Sequence, residues 1–371
     1  MEFKFKKYIN SKVDLTSWSI HRVPKKLKYK YIISIPCYDE YDYIFQTLES
    51  INNQDQHLLD DVLVTILVNN SDKENNLIVD NNHKTYNKII THKYIFDMIV
   101  IDAYSKDRAL DYRYAGVGKA SKISVDSALQ FTTPNSLICF IDADSILDSD
   151  YLLQINNSYN YNRWECATVN FEHLKDDNET VEFIQEYESL LKWNSLQIKK
   201  SGSPYYYVPL GSTMICTVSA YIAVGGMNKK KAAEDFYFLQ ELQKYRDIFH
   251  IKDILIYPSS RSSKRCYLGT SVRMRKCIDG ELSINDLRYN ENAYQILKDW
   301  LELALKSQDK TSQYILNQSK LIHIDLPTFL DKYNFSDSWC GLNVASNKKH
   351  FINQFHRWFD AFKTFKLLKE F

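Results

Sequence analysis

The feature that most restricts this chain is an alternation in its first half, where short apolar runs are separated by stretches with helical spacing. Residues 31–36 (YIISIP), 62–68 (VLVTILV), 98–101 (MIVI) and 137–141 (LICFI) lack period-two polarity, so each reads as a strand buried on both faces. Between the first two, Ile44, Phe45, Leu48 and Ile51 recur at helical spacing within 41–52. Ahead of the last, Ile123, Val125, Ala128 and Leu129 do the same within 118–131. Strands alternating with helices predict an α/β layer around a mostly parallel sheet. The chain has 371 residues, which fits one large domain or two medium ones. With 44% hydrophobic and 25% charged residues, it can bury a core without disulfides or a structural metal.

Past residue 150 the period weakens. Residues 182–200 read as a helix, 203–212 as a loop rich in Pro, Gly and Tyr, 213–218 as a strand, and 233–245 as a helix opening on acids. Residues 285–371 read as mainly helical. The expected organisation is a basic N-terminal extension (1–28), a principal domain (29–280) and a helical C-terminal region (281–371).

Composition removes several classes. The seven cysteines are odd in number and form no CxxC pair, which suits a reduced, cytoplasmic protein rather than a disulfide framework or zinc module. No secretory signal opens the chain, and no run approaches the ~18 apolar residues of a membrane span. The net charge of +1 hides a segregation, with +7 in residues 1–30, +4 in 346–371 and −10 between them. Basic ends suit an anionic surface or plain solvation. No helix-turn-helix or RNA-binding signature accompanies them, so no nucleic-acid partner is expected.

In open α/β sheets, ligands bind beyond the carboxyl ends of the strands. Three strand ends here run into polar clusters: Cys37-Tyr38-Asp39-Glu40, Asn69-Asn70-Ser71-Asp72 and Asp142-Ala143-Asp144-Ser145. Two carboxylates one residue apart, directly after an apolar strand, can both reach one Mg²⁺ or Mn²⁺ ion. A strand-end turn accounts for a lone pair of this kind as well, and the two other polar rims tip the reading toward a metal. Gly118-Lys119 opens a helix and suits a phosphate edge or an ordinary helix start. Glu234-Asp235, at the head of another helix, suits a general base or a simple complement to the helix dipole. Arg261, Lys264 and Arg265 form a basic loop that would face a diphosphate, an anionic acceptor or solvent. No HExxH, GxSxG or P-loop spacing occurs.

The order of these motifs is more specific than any one of them. IPCYDEYDYIFQTLESI resembles the opening of family 2 glycosyltransferases. VNNSD, GKASKISVDSAL, FIDADS and GSTMICTVSAYIAVGGMNKKKAAEDFYFLQEL then resemble that family's successive segments, across roughly residues 29–275. The resemblance implies a GT-A fold, a Rossmann-like α/β/α sandwich with one continuous mixed sheet, whose nucleotide-binding half runs to about 150 and is followed by an acceptor-binding half. It implies inverting, metal-assisted transfer of a sugar from a UDP- or GDP-type donor to a hydroxyl of a glycan, lipid-linked or other acceptor. By position, Pro36, Tyr38, Glu40, Asn69, Lys119 and Asp142 would border the nucleotide, and Asp142 and Asp144 would hold Mg²⁺ or Mn²⁺. Asp235 would be the catalytic base. Glu234 would lie by the donor sugar or acceptor, and Tyr205, Tyr206 and Arg265 are further candidates there. Asp39 stands where asparagine is usual and Asn69 where an acid is usual, and the QxxRW signature of processive synthases is absent. A single transfer, as in polysaccharide biosynthesis, is therefore expected.

Two alternatives stand beside it. FIDADSI superficially matches the nucleophile strand of haloacid-dehalogenase phosphatases, with Asp142 as nucleophile. A catalytically inactive sugar-nucleotide-binding relative would keep the same fold. At the C-terminus, Phe351, Phe355, Trp358, Phe359, Phe362 and Phe365 recur at spacings of three and four among lysines. Such a helix either docks on the core or lies on a membrane surface as a peripheral contact, and docking is the expectation.

Overall fold

The computed structural model describes residues 2–13, 17–22, 24–175, 179–262, 269–342 and 347–371, with backbone alone for 2–4. They divide into two compact units, 1–185 with 209–281 and 186–208 with 282–371. Segment 186–208, assigned to the principal domain from sequence, clusters instead with the C-terminal helices.

The first unit is built on nine strands among the described residues: β1 (Ser19–His21), β2 (Tyr31–Cys37), β3 (Val62–Asn69), β4 (Asp97–Ala103), β5 (Leu137–Phe140), β6 (Ile146–Leu147), β7 (Cys166–Phe171), β8 (Met214–Thr217) and β9 (Phe249–Tyr257). They form one sheet in the order β1-β4-β3-β2-β5-β8-β7-β9-β6. β4, β3, β2 and β5 run parallel, and β8 joins β5 antiparallel. Helices Ile44–Asn52, Asn76–Thr91 and Val117–Ala128 supply the crossovers that parallel pairing requires. Every residue of β3 is buried, as expected of a strand covered on both faces. This is the continuous mixed-sheet α/β sandwich expected above, with a helical C-terminal region.

The topology places the site. The chain lays β2, β3 and β4 outward to one side, then returns to set β5 against the other side of β2. The crossover helices diverge at that switch and leave a crevice at the carboxyl ends of β2 and β5.

The basic N-terminus is not a free extension. Helix Glu2–Lys12 belongs to the first unit. Its Tyr8 hydroxyl donates to Asp126 at 3.1 Å and accepts from Lys122 at 2.6 Å, while Lys122 pairs with Asp126 at 2.7 Å. Tyr221 also donates to Asp126, at 3.0 Å. Even with these partners, burial holds the Asp126 carboxyl above its ordinary range.

The second unit is a helical core around fully buried Trp300 and Trp339. The expected single C-terminal helix is two, Lys348–Trp358 and Ala361–Glu370, because the Asp360 side chain accepts from the Lys363 amide at 3.2 Å and starts a new helix. Phe351, Phe355 and Phe359 are buried in this unit's core, with Trp358 and Phe365 packed half-buried against it. The aromatic face considered for a membrane surface therefore points into protein, which is the docking account. Among the described residues, no helix is long and apolar enough to cross a membrane.

Candidate active site

At the end of β2 the chain passes through Asp39 in the left-handed region, φ 59°. Asp and Asn tolerate that conformation best among residues with a side chain, which explains why this position can hold either. The turn is fixed from a helix that sequence reasoning missed, Asn76–Thr91. Asn82 accepts from the Asp39 amide at 2.9 Å and donates to the Asn69 carbonyl at 3.0 Å, so it ties the ends of β2 and β3 together. Asn81 donates to the Asp39 carboxylate at 2.6 Å. Glu40 follows, buried. Tyr38 is half-buried and donates to Glu74 at 2.9 Å, and Pro36 is half-buried within β2. Asn69 is buried at the end of β3, and its Oδ1 meets no hydrogen-bond donor among the described residues. A buried amide oxygen in that state suits a donor brought by a ligand or water.

Beyond β5, Asp142 and Asp144 lie on a turn closed by the Ser145 amide donating to the Asp142 carbonyl at 3.1 Å. Gly211 leaves room for the first carboxylate, since a Cβ there would stand 3.3 Å from Asp142 Oδ1. Glu234 and Asp235 open helix Glu234–Tyr245, preceded by Ala233 at φ 57°. Asn228 donates to the Glu234 carbonyl at 2.8 Å, and the Asp235 carboxylate accepts from the Phe236 amide at 2.7 Å.

The glycine of the GK motif has a role beyond helix initiation. A Cβ on Gly118 would stand 2.5 Å from the Lys230 carbonyl oxygen, 2.6 Å from that of Asn228 and 3.0 Å from Glu234 Cβ. The missing side chain lets the segment carrying Glu234 and Asp235 lie against the helix head that carries half-buried Lys119. Gly118→Ala should lower stability by about 1–3 kcal/mol through overpacking. A urea unfolding midpoint unchanged from wild type would show that this close approach is not required.

Electrostatics bind these groups into one cluster. Burial raises the Asp142 carboxyl to about 7, helped by the negative charges of Asp144, Asp235 and Glu40. Burial raises Asp235 to about 6, against the pull of the Phe236 amide, its own amide and Arg273. Burial and the Asp235 charge push Glu234 well above the ordinary carboxylate range. Arg273, on helix Thr270–Ile278, was not singled out from sequence.

The main cation of the cluster is Arg261. Its guanidinium donates to both carboxylate oxygens of Glu40, at 2.7 and 2.6 Å, and twice to Asp144 Oδ2, at 3.0 and 2.7 Å. It also stacks over the Tyr43 ring at 3.8 Å. Among the described residues of the basic loop, Arg261 has the acids themselves as partners. Lys264 and Arg265 lie outside the described residues.

Tyr205 and Tyr206 belong to the helical unit. Tyr205 is not an open stacking face: its ring is buried and its hydroxyl donates to the His356 carbonyl. Tyr206 is half-buried, with Lys199 over its ring at 4.9 Å.

Asp142 and Asp144 offer hard oxygen donors in a site crowded with like charge, and that chemistry fits a divalent cation. Among the described residues, no set of three or more His, Cys, Asp or Glu is arranged to hold a metal, so the candidate donors are this pair.

No family model matches the chain, and no curated protein matches it. Similar solved structures include S. aureus TarS 1–349, at 14% identity and TM-score 0.44 over 88% of this chain and 89% of that one. The same protein in complex with UDP-GlcNAc gives 14% and 0.45 over 88% and 89%. The mannosyltransferase PcManGT from Pyrobaculum calidifontis, in complex with GDP-Man and Mn²⁺, gives 12% and 0.41 over 96% and 92%. At such values the likeness carries no functional weight.

Proposed function

We propose that this chain is an inverting glycosyltransferase that moves one sugar per encounter from a UDP- or GDP-type donor to a hydroxyl of a glycan, lipid-linked or other acceptor. The observation that carries the reading is the convergence of Glu40, Asp142, Asp144 and Asp235 in one electrostatic cluster beyond the carboxyl ends of β2 and β5. These are acids of the ordered motifs whose sequence resembles family 2.

Asp235 is held rigidly at a helix head, and a carboxyl raised to about 6 is ionised at neutral pH yet basic enough to take a proton. It accepts the proton of the acceptor hydroxyl as that oxygen attacks the anomeric carbon. The bond from carbon to diphosphate oxygen breaks, and its electron pair leaves with the diphosphate. Asp142 and Asp144 would hold Mg²⁺ or Mn²⁺, which when bound offsets charge on the leaving group. Burial pushes the Glu234 carboxyl well above the ordinary range, and its proposed place is beside the donor sugar or acceptor. Asn69 would offer the base an amide oxygen that has no donor among the described residues, with Pro36, Tyr38 and Lys119 as further candidates for the nucleotide. The phosphatase alternative fares worse, because it gives no role to Glu40 and Asp235, whose charges reach the same Asp142 carboxyl.

The test is a thermal-shift panel of nucleoside diphosphates and nucleotide sugars, each with and without Mn²⁺. One donor at about 100 times its Kd should stabilise the protein by about 2.7 kcal/mol in a metal-dependent manner. The shift should vanish in Asp144→Ala. Indifference of the wild-type protein to every nucleotide would overturn the reading.

A further inference from the structure

The Arg261 clasp poses a question that the transfer chemistry does not answer. Arg261 and Glu40 are 14% and 11% exposed at their side chains, and Asp144 is 21% exposed. A guanidinium so enclosed, donating four hydrogen bonds to two acids and stacked on Tyr43, is a built arrangement rather than a chance surface pair. Glu40 and Asp144 share this guanidinium, which offsets the cost of enclosing two carboxylates side by side.

We propose that Arg261 and the divalent cation are alternative occupants of Asp144, so that Arg261 acts as a built-in counter-ion that holds the metal site closed until donor and metal arrive together. The proposal rests on the transferase reading only for the identity of the donor. Arg261 holds Asp144 Oδ2 with two hydrogen bonds, so a metal ion bound through that oxygen would have to displace the guanidinium. A bare metal ion must break the Arg–Glu40–Asp144 clasp without compensation. A metal that arrives on a diphosphate brings anionic oxygens of its own, to which the released guanidinium can turn. The clasp therefore biases the site against free metal and in favour of the metal–diphosphate complex. It also neutralises the acids in the empty protein. Arg261 is in this sense a positioning residue: it acts through Asp144 and Glu40.

The experiment measures binding of Mn²⁺ alone, without nucleotide, from the electron paramagnetic resonance signal of free Mn²⁺. The proteins are full-length wild type, Arg261→Met, Arg261→Lys and Arg273→Met. Losing the charge-assisted bonds to Asp144 should tighten Mn²⁺ binding by about tenfold in Arg261→Met. Arg261→Lys, which keeps the charge but not the fork, should fall between that variant and wild type. Arg273→Met removes an equal charge near Asp235 without touching Asp144, and should change Mn²⁺ affinity less than threefold if displacement rather than general field is at work. Unchanged or weaker Mn²⁺ binding in both Arg261 variants would overturn the proposal, and so would equal tightening in Arg261→Met and Arg273→Met. If Arg261→Met fails to fold, Arg261→Lys against Arg273→Met decides alone. Tighter Mn²⁺ binding in a protein that ignores all nucleotide sugars would keep the clasp and sink the transferase. A metal-dependent nucleotide shift with no change in Mn²⁺ affinity across the variants would do the reverse.

Discussion

Asp235→Asn should slow sugar transfer by about 10²–10⁴-fold, the usual contribution of a positioned general base. The substitution keeps the shape of the side chain and removes its ability to take the acceptor proton. Metal-dependent stabilisation by the donor should survive, because Asp142 and Asp144 are untouched. In the wild-type enzyme, activity should rise as pH increases through about 6, since the ionised carboxylate is the working form. The residual rate of the variant should lack that limb. A variant that turns over at the wild-type rate would remove Asp235 from the chemistry. Stability should run opposite to activity. Asp142 and Asp235 have folded-state pKa values raised above their unfolded ones, to about 7 and about 6. Their contribution is fully present below the unfolded values near 4 and is lost as pH rises through the folded ones. Transfer is thus expected to be fastest in the pH range where these two groups stabilise the metal-free fold least.

The second large effect concerns the helical unit. Trp300 is fully buried and meets Phe335, Phe355 and Phe359 with ring centroids 5.6, 6.0 and 5.8 Å away. Trp300→Ala should cost about 3–5 kcal/mol, from lost burial and from the cavity left among rings that cannot collapse together. Chemical denaturation followed by far-ultraviolet circular dichroism reads this directly. A loss below about 1 kcal/mol would mean that the unit repacks freely and that its aromatic core is not specifically fitted.

Much of the first half was legible because β2 and β3 are buried along nearly their whole length and carry only Ser34 and Thr65 as polar interruptions before their ends. The three polar rims followed from those strand ends. Helix Asn76–Thr91 escaped because only Asn82, Thr85, Tyr86 and Ile89 are buried along it, two of them polar, so its inner face lacks an apolar stripe. Its Asn82 is nevertheless what joins two of the rims. Strands β7 and β9 escaped for another reason: register shifts at Val169/Asn170 and Asn170/Phe171 break the period, and Lys252 and Asp253 face solvent in the middle of β9. Arg261 was read as a basic loop residue, and its partners were not readable. They lie 221 and 117 positions away in the chain, and no local pattern encodes such a pairing. The break at Asp360 was readable in principle, as a capping residue inside a periodic run, but the aromatic spacing across it masked the signal.

The helical unit draws on two stretches of chain, 186–208 and 282–371, and this has a consequence in time. Ser201 donates to the carbonyl of Tyr294, 93 positions later, and Tyr205 to that of His356, 151 positions later. At about 5–20 residues per second, a ribosome needs roughly 5–30 s to deliver those partners. Through that interval Ile198, Tyr205 and Tyr207, all buried in the finished protein, wait without the surfaces that cover them. The sheet-based unit can close around its own segments soon after residue 281 emerges, so the nascent chain carries a folded sheet-based unit and a segment, 186–208, whose partners are still to come. The last helices to be made are the ones that end its exposure.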